Sequence, residues 1–144
     1  MPFVAQPIAL TAAATLTSKA HANGLIVWNS TTGATLTLPA SSGGGDVYTL
    51  VFNKLIGSGT FKLQAANATD VMAGVALTVD DDGVPANAWA TSATSDSIWM
   101  DGSTTGGKVG DKIVLVDMAA GFWQVSMWAN ESGTEATPFT AAVS

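Results

Sequence analysis

Apolar and polar residues alternate along this chain in short runs broken by turn residues, and no long stretch keeps the 3.6-residue period of a helix. Val47 to Phe52 is the clearest run. It places Tyr48, Leu50 and Phe52 on one face, with Val47, Thr49 and Val51 on the other. Phe61 to Ala65 alternates cleanly, so Phe61 and Leu63 are expected in the core. Gly24 to Trp28 reads as a buried strand and Thr35 to Leu38 as an alternating one, ended by Pro39 and the cluster Ser41 to Gly45. Val71 to Val79 predicts a strand interrupted at Gly74. Ser97 to Asp101, Lys112 to Asp117 and Phe122 to Trp128 complete the set, the last two joined by a hairpin connection at Met118 to Gly121. Asp80 to Pro85 is read as a turn, and the stretch on to Ser95 as a long loop carrying Trp89.

These elements predict an all-β fold of about eight strands, a single-domain β-sandwich or jelly-roll-like barrel over residues 16–144. Residues 1–15, with Pro2 and Pro7 and no amphipathic period, are expected to form an extended N-terminal arm. The 144 residues suffice for one core, which buries roughly 68–70% of the unfolded surface at this size. The segment Pro7 to Leu16 is not read as a signal peptide, because no positive charge precedes Lys19.

Composition narrows the function. Only 11% of residues are charged, the net charge is −6, and the five basic residues are all lysine. Nucleic-acid recognition favours clustered Arg and Lys, so no nucleic-acid partner is expected. No run approaches the roughly 18 apolar residues of a membrane span, and no membrane partner is expected. With no cysteine, thiolate metal sites and cysteine nucleophiles are excluded. Gly, Ala, Ser and Thr fill nearly half the chain, leaving an uncharged surface that a partner covers with little desolvation cost.

Several residues invite chemical readings. Gly102 to Lys108 satisfies the first seven positions of a phosphate-binding loop, but Val109 stands where a hydroxyl should ligate magnesium, and a strand follows instead of a helix. A Gly-rich turn between strands is the expectation. Asp80, Asp81 and Asp82 offer carboxylates to a hard cation, but they are consecutive and no glutamate follows until Glu131, so a solvated acidic turn is expected and no metal or cofactor is assigned. His21 is the sole histidine and has no nucleophile elbow around it, and no spacing singles out an aspartate pair for glycoside hydrolysis. The chain is therefore not read as an enzyme. Of five tryptophans, Trp28 and Trp123 are expected in the core. Trp89 and Trp128 are candidates for an interface or an outer aromatic surface, Trp99 being less determined.

Four motifs occur in order: Leu36-Thr-Leu-Pro39 with its Gly-rich turn, Gly102 to Gly107 with Gly110-Asp111, Ala120-Gly121-Phe-Trp123-Gln-Val125, and Ser132-Gly133 with Thr137-Pro138-Phe139. From about Leu16 to Phe139 this series resembles a family of short tailed-bacteriophage virion proteins that decorate or cement the head. The resemblance implies a β-sandwich or jelly-roll-like subunit, a homotrimer on the outer capsid surface with the major capsid protein as partner. It implies a place in the virion, with host cytoplasm before assembly, and no catalytic residues. On that expectation the arm residues Pro2, Phe3, Val4, Pro7 and Ile8 contact the capsid. The alternative is a receptor- or glycan-binding module of a fibre or tail tip, with Trp89 and Trp128 as its platform.

Overall fold

The computed structural model describes residues 6–81, 83 and 85–143. Twelve strands and one short helix are formed among them, arranged as two sheets packed face to face. The strands are β1 (Ile8–Leu10), β2 (Ala14–Thr15), β3 (Leu25–Trp28), β4 (Thr35–Thr37), β5 (Val47–Phe52), β6 (Phe61–Gln64), β7 (Val71–Asp80), β8 (Ala86–Ala90), β9 (Ser97–Met100), β10 (Lys112–Ala119), β11 (Phe122–Glu131) and β12 (Phe139–Thr140). The helix α1 (Ser18–His21) is one turn, capped by Thr17, whose side chain accepts from Ala20 N.

The larger sheet runs β1-β3-β5-β10-β11-β7-β8 and the smaller β12-β9-β6-β4-β2. The first six strands alternate between the sheets, so the chain coils three times. β1, β3 and β5 are parallel neighbours on one side, and β2, β4 and β6 on the other. Parallel neighbours need a crossover, and here each crossover is a strand of the opposite sheet. The antiparallel hairpin β10–β11 then sits between β5 and β7. The sandwich expectation holds. The jelly-roll alternative does not, because a jelly roll is built from antiparallel Greek keys and these sheets are mixed.

The core forms where the inward rows of both sheets meet. Trp28, Trp123, Tyr48, Phe61 and Phe52 are all buried, joined by edge-to-face contacts with ring centroids 5.0 Å apart for Trp28–Phe61, 5.6 Å for Tyr48–Trp123 and 4.9 Å for Phe52–Phe61. β7 runs without interruption through Gly74. A Cβ there would stand 1.8 Å from Val125 O, so glycine is what lets β7 lie against β11.

Two expectations change. Of the segment expected as an arm, the described part is paired from Ile8 onward, with β1 and β2 as the edge strands of the two sheets. Residues 8–15 thus take part in both sheets. The loop expected up to Ser95 contains β8, which places Trp89 in an edge strand, opposite Ala76.

Candidate functional site

The chemistry-bearing motifs resolve into loop structure. Gly102 to Lys108 forms a tight turn whose amides are used by two carboxylates of the chain itself. Asp101 Oδ1 accepts from Ser103 N (2.8 Å) and Thr105 N (3.2 Å), and its Oδ2 accepts from Thr104 Oγ1 (2.7 Å). Asp111 Oδ2 accepts from Gly107 N (2.8 Å) and Lys108 N (2.9 Å), and Oδ1 from Asn130 N (2.9 Å). The donors that would cradle a phosphate are occupied, and β10 follows where a helix would be needed.

Asp111 belongs to a pattern. Four buried aspartates accept backbone amides, three of them from distant segments. Asp70 holds Ser41 N (2.8 Å), Asp117 holds Ser42 N (3.0 Å) and Gly43 N (2.8 Å), Asp96 holds Ala142 N (2.8 Å), and Asp111 ties the Gly-rich turn to β11. Much of the acidity is therefore spent on fixing turns. At Asp117, burial acts to raise the carboxyl pKa, but the amides of Gly43 and Ser42 and the Ser42 hydroxyl outweigh it and hold the pKa below its ordinary value. Asp101 is likewise held low: burial opposes, and the bonds from Thr104, Ser103 and Thr105 prevail. At Asp111 burial wins and the pKa is raised despite its three amides. Burial also raises Glu131, whose Oε2 accepts from Thr78 Oγ1 (2.9 Å) while its Oε1 is buried without a partner.

Asp81 reaches Lys108 Nζ at 3.8 Å, and Asp82 lies outside the described residues. Among the described residues, no group of three or more His, Cys, Asp or Glu side chains is placed to hold a metal ion. His21 Nδ1 accepts from Thr17 N at 2.9 Å, closing the turn of α1. Pro2, Phe3 and Val4 lie outside the described residues. Pro7 is exposed just before β1, whereas Ile8 is half-buried on the inward row beside Ile26.

The tryptophans separate by face. Trp28 and Trp123 are in the core as expected. Trp89 turns inward, half-buried, and its Nε1 donates to Thr78 Oγ1 at 3.1 Å. Trp128 points outward from the large sheet, 49% exposed. The two candidate aromatics thus lie on opposite faces and form no common platform.

The two outer faces contrast. The small sheet presents Thr15, Thr35, Thr37, Lys62, Gln64 and Trp99, with Lys62 Nζ 4.1 Å from the Trp99 ring centroid. That is an ordinary solvated face. The large sheet is apolar on its outside as well as its inside. One cross-strand row reads Ala9, Val27, Val51, Lys112, Trp128, Leu77 and Ala88. Seven of the nine large hydrophobic side chains exposed among the described residues lie on its strands: Leu25, Val75, Leu77, Val79, Met118, Phe122 and Trp128. Lys112 is the one charged side chain at the outward positions of its described strands. A depression of about 430 Å³ opens beside Trp128, between Leu77, Val79, Ala86, Gly110 and Asn130.

Sequence reasoning missed this face, although its signal is present. Val47, Thr49 and Val51, Val114 and Val116, and Val75, Leu77 and Val79 make their strands apolar on both sides, the composition of strands covered on both faces. No known protein family, curated protein or solved structure matches this chain.

Proposed function

We propose that this protein is a decoration, or cement, subunit of a tailed-bacteriophage particle, binding the outer surface of the major capsid shell as a homotrimer and stabilising it. The supporting observation is the outer face of the large sheet. It is broad, nearly uncharged and more apolar than a solvated sheet face needs to be, which suits adhesion within an assembly. The glycine-rich segment Gly102 to Lys108 is a turn bound by Asp101 and Asp111, and His21 closes the turn of α1. The buried aspartates fix the loops at the sandwich ends, so those surfaces meet a partner with little ordering cost. A subunit that binds many equivalent sites needs only moderate affinity at each, about −8 to −12 kcal/mol. The glycan-binding alternative rested on Trp89 and Trp128 acting together, and their opposite orientations take that support away.

Mixing the purified protein with undecorated shells and imaging the particles tests the reading. Regular added density and a raised shell disruption temperature are expected; bare shells at saturating protein would refute it. Deleting residues 2–6 tests the arm without removing β1, and reduced occupancy is the expected result.

A further inference from the structure

We infer that the outer face of the large sheet is covered by further copies of this same chain, and that Trp128, Leu77 and Val75 form the centre of that self-contact. The inference deepens the proposed function by assigning one face to the oligomer, which leaves the loop ends for the shell.

Three observations favour a copy of this chain as the occupant. The first is charge. The chain carries a net charge of −6, yet among the described residues no carboxylate stands at the outward positions of the large sheet. Two copies can therefore meet there without opposing carboxylates, each bringing a single charge, Lys112, whose Nζ lies 6.0 Å from the Trp128 ring centroid. The second is self-complementarity. The face is mainly apolar, its central row interrupted only by Lys112, and it is flanked by uncharged Thr49, Ser126, Gln124 and Asn130. A surface without charge pattern carries no code for a charged partner and matches itself.

The third is size. At about 4.8 Å between strands and about 3.3 Å per residue, the seven strands span roughly 700 Å² of flat sheet. A stable interface between two copies takes about 600–1,000 Å² from each partner, so a contact that covers most of this sheet falls within that range. The depression beside Trp128 adds relief into which a neighbour's side chain fits. Trp128 has the profile of an anchor: a large, half-exposed aromatic within the face, with Leu77 on one side and Lys112 on the other.

Sedimentation equilibrium on the intact chain measures the prediction directly. The wild type should show a multiple of the 14.5 kDa chain mass. Leu77→Asp and Trp128→Asp should each lower the mass to that of a single chain, a twofold or threefold fall according to the wild-type state. Ser126→Asp removes no apolar contact, keeps the fold (checked by circular dichroism) and should dissociate the oligomer as well. Thr37→Asp, on the small sheet's outer face, should leave the mass unchanged. A wild type that sediments as a single chain, or folded face variants that keep the parental mass, would overturn the inference. Shell occupancy, read separately, distinguishes the two readings. A single chain that decorates shells sinks this inference alone, and an intact oligomer that ignores shells sinks the proposed function alone.

Discussion

At the scale of single residues, the core holds polar atoms with nothing to bond. Tyr48 Oη is buried without a partner, as are the indole nitrogens of Trp28 and Trp123. An orphaned buried donor costs about 1–3 kcal/mol. Tyr48→Phe deletes one such group at nearly constant volume, so it should be neutral to stabilising by about 1 kcal/mol, seen as a rise of a few degrees in Tm. Gly74→Ala has the opposite sign. The new methyl would overlap Val125 O and drive β7 from β11, so a loss of at least about 3 kcal/mol is expected in a denaturant titration. Glu131 gives a pH-dependent case. Its pKa is raised by burial and then by the neighbouring Glu135 and Asp111 charges, so its contribution is fully present below the unfolded value, about 4.3, and is lost as pH rises through the folded value. Glu131→Gln should therefore raise Tm at neutral pH, and the gain should shrink in thermal melts taken in acid.

At the scale of elements, the aspartate staples decide how the loops behave. Asp117→Ala removes the charged acceptor that holds the amides of Ser42 and Gly43. About 2 kcal/mol of stability should go, with hydrogen exchange quickening first at residues 42–43. Because Asp117 and Asp101 are held low, their stabilisation is present above the unfolded carboxyl value, about 3.9, and is lost as pH falls through the folded values. The sequence shows such staples poorly. Asp117 and Ser42 are 75 positions apart, and only the recurrence of Asp beside Gly and Ser clusters hints at the contact. Strands were legible where β-branched and aromatic residues alternate, as in Val47 to Phe52 and Phe61 to Gln64. They were hidden where alanine carries the pattern. β8, Ala86 to Ala90, has alternation of the right period but side chains too small and too weakly β-forming to register. β1 and β2 are too short to signal at all.

For the whole molecule, a single sandwich core was legible, but its coiled topology was not, because parallel pairing between β1, β3 and β5 leaves no local mark on their sequences. Nor was it evident that one sheet would be apolar on both sides, since the pattern alone does not tell a strand covered by its own chain from one covered by a neighbour. Association through such a face is hydrophobic in origin. It should tolerate added sodium chloride, strengthen in sulfate and weaken on cooling. Sedimentation across those conditions checks the prediction, and dissociation by moderate sodium chloride would mark the contact as ionic instead.

The coiling of the first six strands also determines how the molecule gives way under load. A pull on the N-terminal end meets β1 and β2 first, each held on one side only, and behind them β3 and β4 in the same arrangement. The chain should come off in turns, about 18 residues for the first and 24 for the next, as set by the registers Ile8–Ile26 and Ile26–Leu50. A subunit tethered to a swelling container by that end would yield in steps, as a ratchet does, and its β10–β11 hairpin would be among the last parts to let go.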